Sequence, residues 1–120
     1  MDATVVQCDG GHPVEIPSMQ WIISGWAEKT FGRSNSNVSI AARALAEMSE
    51  LVTKLANDDT HPDAAEEIAD VVIVLMRLST RLGSCMAGAI DKKMRINFDR
   101  KWELDGNGHG QHVSEETKAS

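Results

Sequence analysis

A chain of 120 residues with 42% hydrophobic and 25% charged residues makes one globular domain with a modest core. Its 18 acidic residues against 12 basic ones give a net charge of -6, which excludes the basic stripe of a general nucleic-acid binder. A nucleotide substrate stays open, because bound divalent cations reverse the sign of an acidic pocket.

Residues 1–17 contain Asp9-Gly10-Gly11-His12-Pro13 and end in Pro17. They read as an irregular arm with a short extended piece over residues 4–6. Ser18 is the expected N-cap of a first helix that runs to about Phe31 and stops at Gly32. Residues 33–37 form a polar loop. A second helix is expected from near Asn37 to about Ala56, because Ile40, Ala44, Met48, Leu51 and Leu55 recur at three- and four-residue steps. A turn over residues 57–63 follows, with Pro62 suited to a first helical position.

The third helix is expected over about residues 62–82. Its apolar run at residues 71–76 also fits a buried strand, and periodicity does not separate the two. The flanks do: Ala64-Ala65-Glu66-Glu67 and Met76-Arg77-Leu78 are helix formers. Gly83 closes this helix. Its all-round apolar stretch calls for several neighbours or a partner subunit. A fourth helix is expected from about Ser84 to Trp102, and residues 105–120 form a polar tail. The organisation is thus an arm at 1–17, a helical domain at 18–104 and a tail at 105–120. The fold class is all-α.

The two cysteines, Cys8 and Cys85, make neither a disulfide framework nor a zinc-ligand spacing, so a reduced, cytoplasmic setting is expected. There is no signal-type segment and no apolar run long enough for a bilayer, so no membrane association is expected.

Two acidic pairs carry the chemistry. Glu47 and Glu50 lie one turn apart on the second helix, and Glu67 and Asp70 lie one turn apart on the third. A single pair of this kind is usually a solvated helix face. Two pairs against apolar stripes on consecutive antiparallel helices are different. A charge facing a core is costly unless it is paired or coordinates a metal. Together the four carboxylates make a site for hard divalent cations. Glu66 is expected to face water. On the fourth helix Lys93, Asn97 and Arg100 share one side and suit phosphate, unless they pair with Asp91 and Asp99 on the surface. Carboxylate ligands opposite phosphate clamps read as phosphoryl chemistry. Of Trp21, Trp26 and Trp102, Trp21 is the first candidate for stacking on a base, against the commoner role of core filler. His109 and His112 have the closeness of a ligand pair, but in a polar tail such residues are usually solvated.

Two other readings compete. A ferritin-like di-iron site needs Glu-x-x-His on two helices, and Glu50 and Asp70 stand where the histidines belong. A non-enzymatic oligomerisation or regulatory module would pair through residues 71–76 and spend its acids on ion pairs.

Glu47-x-x-Glu50, a gap of sixteen residues and Glu67-x-x-Asp70 resemble the metal motif of the MazG-like all-α nucleoside triphosphate pyrophosphohydrolases. The family pattern begins one acid earlier, where this chain has Ala46; ligation in the family resides mainly in the other four. Lys93-x-x-x-Asn97-x-x-Arg100-x-Trp102 resembles the downstream motif. Thr30-Phe31-Gly32 and Asp105-Gly106-x-Gly108-His109 resemble the phage-type branch of dATP/dGTP diphosphohydrolases.

The resemblance implies a four-helix bundle completed by oligomerisation, as a homodimer or homotetramer. It implies conversion of a (d)NTP, purine preferred and dGTP or GTP first, to (d)NMP and pyrophosphate. Two to three Mg²⁺ or Mn²⁺ ions would sit on Glu47, Glu50, Glu67 and Asp70. Lys93 and Arg100 would stabilise the leaving pyrophosphate, Asn97 would orient a phosphate or the sugar, and the base would lie near Trp21. A phage-encoded chain would work in the host cytoplasm.

Overall fold

The computed structural model describes residues 16–113. The extended piece expected at residues 4–6 and Cys8 lie outside the described residues. The elements are α1 (Ile16–Phe31), α2 (Asn37–Asn57), α3 (Ala64–Arg81), α4 (Met86–Asp99), β1 (Trp102–Leu104) and β2 (Gly110–His112). The expected all-α class holds, with one small hairpin added. The chain divides into two compact units, one ending at Ala87 and one beginning at Gly88.

In the first unit α3 packs against both α1 and α2, more extensively against α2. The run at residues 71–76 is helical, as its flanks require. Among the described residues the buried apolar ones are Ala27 on α1, Ile40, Ala44 and Leu51 on α2, and Met76 on α3. On α2 the buried stripe is Ile40, Ala44, Glu47 and Leu51. Met48, expected in the stripe, is exposed, and Glu47 takes the place beside Ala44 that an apolar residue would fill. The spacing of four, three and four residues is that of one helix face.

Three helix starts depart from expectation, each for a local reason. Ser18 is not an N-cap, because α1 already begins at Ile16; Pro17 is tolerated in a first turn, where an N–H has no intrahelical partner. Pro62 lies in the turn before α3. There the Asp63 amide donates to His61 Nδ1 at 3.1 Å and the Ala64 amide to the His61 carbonyl at 3.1 Å, so the helix starts two residues later. Ser84 does not open α4, because its amide closes α3 by donating to the Ser79 carbonyl at 2.8 Å while Gly83 donates to Thr80 at 3.0 Å. With Gly83 at φ 71° this is a Schellman ending.

Polar contacts fasten the helices. The Gln20 carboxamide donates to Thr80 Oγ1 at 3.0 Å and to the Ser84 carbonyl at 2.9 Å, and accepts from the Met86 amide at 2.8 Å. Ser24 shares a 2.6 Å hydrogen bond with the same Thr80 hydroxyl. Arg77 donates to Glu28 at 3.2 Å and to the Gly32 carbonyl at 2.9 Å. Arg81 donates to Asn37 Oδ1 at 2.8 Å and to the Ser34 carbonyl at 2.9 Å. The two arginines of α3 thereby clasp the α1–α2 connection. At its end Ser36 caps α2, accepting from the Ser39 amide at 3.0 Å.

In the second unit α4 ends at Asp99, and Trp102, expected in the helix, opens the hairpin. Trp102 pairs with His112 across antiparallel strands, and their rings meet edge to face at 6.2 Å. Gly110 sits where an added Cβ would meet the Glu103 carbonyl oxygen at 2.8 Å, which only glycine avoids. Among the described residues no single helix is long and apolar enough to cross a bilayer.

Met76 is 2% exposed in this small core. Met76→Ala is expected to cost about 2–5 kcal/mol through the void it leaves, and Ser36→Ala about 1 kcal/mol through the lost cap. Both are read as drops in the unfolding free energy from urea titration.

Candidate active site

The interior positions given to Glu47 on α2 and Glu67 on α3 turn both carboxylates into the space between these helices, and Glu50 joins them one turn on from Glu47. Oxygens of Glu47, Glu50 and Glu67 lie within 4.8 Å of one another. This is the one such group of possible ligands among the described residues; the histidines of the hairpin form none. Three of the four acids singled out in the sequence therefore converge. Asp70 is exposed and stands outside the triad. Glu66 faces water, as expected.

Two cations flank the triad. Arg43, one turn before Glu47 on α2, meets its Oε1 at 2.8 Å. Lys54 reaches from α2 to Glu67 Oε1 on α3 at 2.6 Å. The Glu67 side chain is 10% exposed, and its Oε2 is buried without a hydrogen-bond partner. A buried carboxylate oxygen with no donor is expensive. Together with two further carboxylates it makes an all-oxygen ligand set, the kind hard divalent cations take. The donor set fits Mg²⁺ or Mn²⁺.

The carboxylates respond to each other. Glu47, and after it Glu67, hold the Glu50 carboxyl above its usual pKa by like-charge repulsion. The hydrogen bond from Lys54 holds Glu67 below the usual range, against the upward push of burial. The same bond raises Lys54.

Beside the triad lies a cavity of about 470 Å³. Trp26, Ala27, Phe31, Ile40, Ile73 and Val74 supply its apolar wall, and Ser34, Ser39, Arg43, Glu47, Asp70 and Arg77 its polar one. Trp26 and Phe31 meet edge to face at 5.3 Å, and the Arg77 guanidinium lies 5.9 Å from the Phe31 ring centre. Glu47 belongs to both the triad and the cavity wall, so the two are contiguous. Trp21, the aromatic favoured from sequence, is 76% exposed and does not line this cavity.

Trp26, Phe31, Arg43, Arg77 and Lys54 received no leading role from the sequence. The Arg43–Glu47 spacing of one helical turn was a usable signal. The other four depend on which helices meet. Lys93 and Asn97 lie on α4, whereas Arg100 falls one residue past its end rather than on the helix face expected from sequence; neither Lys93 nor Arg100 makes an ion pair among the described residues, and Asp91 pairs with Arg95 at 3.2 Å instead. Asn97 accepts from the Trp102 indole through its carbonyl at 3.0 Å.

The family model of dATP/dGTP pyrophosphohydrolases matches residues 20–119. A dATP/dGTP diphosphohydrolase of Salmonella phage PMBT28 is 36% identical over 98 residues, covering 82% of this chain and 31% of that protein. The chain thus spans about a third of that relative's length. A dATP/dGTP diphosphohydrolase of cyanophage S-2L is 32% identical over 101 residues, covering 84% of this chain and 90% of the relative. Among solved structures, the cyanophage S-2L MazG-like pyrophosphohydrolase bound to dGDP and three catalytic Mn²⁺ ions per active site is similar with a TM-score of 0.70 and 28% identity. It covers 85% of this chain and 100% of its own.

The pKa directions fix the sign of one effect in chelator-treated protein. Glu50 is harder to ionise folded than unfolded, so it lowers stability as pH rises through the ordinary carboxylate range. Glu67, with its pKa depressed, adds stability above that range and loses it as pH falls through its own lower value. Glu50→Gln is expected to raise the thermal midpoint at pH 7, with the gain fading below the ordinary carboxylate pKa. Differential scanning calorimetry across pH checks it.

Proposed function

The chain belongs to the dATP/dGTP pyrophosphohydrolase family, and we propose that it is a divalent-cation-dependent enzyme converting a purine (d)NTP, dGTP or GTP first, to (d)NMP and pyrophosphate. The observation that carries this reading is the convergence of Glu47, Glu50 and Glu67 beside a cavity sized for a nucleoside. The S-2L structure, with dGDP and Mn²⁺, supports both the ligand class and guanine.

In this reading Glu47, Glu50 and Glu67 hold two to three Mg²⁺ or Mn²⁺ ions, and Asp70, on the cavity side of the triad, is the fourth ligand expected from the motif. Ions held there would offset the charge of the phosphates and lower the pKa of a bound water toward neutrality. The chain's own groups do the rest. Glu50, the exposed member of the triad, without an ion pair among the described residues, would take the proton of the water that attacks the α-phosphorus as pyrophosphate leaves. Arg43 keeps the Glu47 carboxylate oriented, and Lys54 holds Glu67 until an ion is bound. The apolar wall with Trp26 and Phe31 holds the base, a role that passes from Trp21 to Trp26. Lys93, Arg100 and Asn97 are assigned to the phosphates by their spacing in the sequence alone.

Large apolar side chains left in water, among them Trp21, Ile22, Leu45 and Val52, support assembly as a homodimer or homotetramer. The acidic balance speaks against a nucleic-acid partner. Multi-angle light scattering that finds a monomer at micromolar concentration removes the assembly from the reading.

Incubation with each of the eight (d)NTPs plus Mg²⁺ or Mn²⁺, followed by chromatography, tests the reaction. Monophosphate and pyrophosphate are expected; diphosphate and orthophosphate overturn it. Glu67→Gln and Glu50→Gln are expected to lose activity by more than about 100-fold, beyond the loss typical of groups that only support a ligand. Trp26→Ala is expected to raise KM by about tenfold through lost aromatic contact, while Trp21→Ala leaves KM for a single nucleotide unchanged. Steady-state kinetics separates the two tryptophans.

A further inference from the structure

We propose that Lys54 is the exchangeable counter-ion of the carboxylate triad: its ammonium competes with a divalent cation for Glu67 and is given up when the cation takes the carboxylates. The inference rests on the metal-site reading above and deepens it.

The two cations at the triad are not equivalent. Arg43 and Glu47 are one turn apart on α2, and the Arg43 side chain is 70% exposed. That pair forms within a helix whether or not anything joins it. Lys54 bridges helices, from α2 to Glu67 on α3. It occupies Oε1 of a nearly buried carboxylate whose Oε2 has no partner. One oxygen is neutralised and the other left over, so the pair is a partial solution to the charge of the site.

A divalent ion shared by Glu47, Glu50 and Glu67 carries twice the charge of Lys54 and meets three carboxylates instead of one. Two cations drawn to one carboxylate repel each other over a few ångströms, so occupancy by one weakens the other. Lysine is suited to leaving. Its head is compact and strongly hydrated and its stem is flexible, whereas a guanidinium fork holds a carboxylate in fixed geometry. The Lys54 side chain is 33% exposed, so its ammonium has a route to water.

The test is isothermal titration of Mn²⁺ into wild type, Lys54→Met, Lys54→Arg and Glu67→Gln. Lys54→Met is expected to bind Mn²⁺ about tenfold more tightly than wild type through loss of the competing charge, and to unfold at lower temperature in chelator. Lys54→Arg is expected to bind no more tightly than wild type. Equal or weaker Mn²⁺ binding by Lys54→Met, with wild type binding well and Glu67→Gln impaired, overturns the exchange and leaves the metal site standing. Failure of wild type itself to bind Mn²⁺ overturns both. A second measurement needs no variant: reductive methylation of wild type, read by mass spectrometry. Lys54 is expected to be modified faster with saturating Mg²⁺ than with chelator, relative to Lys92 and Lys93. An unchanged or slower rate overturns the exchange even where Lys54→Met does not fold.

Discussion

Repulsion among three carboxylates is the constraint around which the helical unit is organised. Glu47 and Glu67 occupy interior positions on facing helices, where water does little to screen them. Glu50 adds a third charge from the exposed side. The chain answers with Arg43 from the same helix and Lys54 across the helix pair. Even so one carboxylate oxygen stays unsatisfied. A helix pair built for stability alone would place leucine at 47 and 67. The arrangement makes sense when the same groups are ligands, whose ion supplies the missing positive charge.

The rest of the unit holds that strained meeting in place with few apolar residues. Among the described residues five buried apolar side chains make a thin core. Much of the fastening is polar and directional. Gln20 and Ser24 tie α1 to the end of α3 through Thr80, and Gln20 also caps the start of α4. Partly buried, directional hydrogen bonds of this kind fix register more sharply than an apolar contact does. Register matters here, because a shift of one residue along α2 or α3 would part the carboxylates.

The helices and three of the four acids were legible in the chain because a helical repeat is a local property. Residues at three- and four-residue steps share a face whatever the tertiary structure does. The direction of residues 71–76 followed from flanking residues for the same reason. Helix starts are less legible, since Ser18, Pro62 and Ser84 each signal only one residue's preference, while hydrogen bonds of neighbouring turns decide the boundary. Which tryptophan faces a cavity is a tertiary question. Trp21 and Trp26 lie five residues apart on α1, about 140° apart around a helix of 3.6 residues per turn, and nothing local says which side meets α3. The bridge from Lys54 to Glu67 is likewise a product of packing, thirteen residues apart in sequence.

Arg77 serves two masters. Its guanidinium faces the cavity beside Phe31, and its hydrogen bonds to Glu28 and the Gly32 carbonyl latch the connection between α1 and α2. Retuning what the cavity accepts by altering this side chain therefore loosens a joint in the scaffold, and reinforcing the joint reshapes what fits. Evolution at this site has to move in paired steps, so selectivity is easier to alter at Ile73 or Val74, which line the same space without holding anything shut.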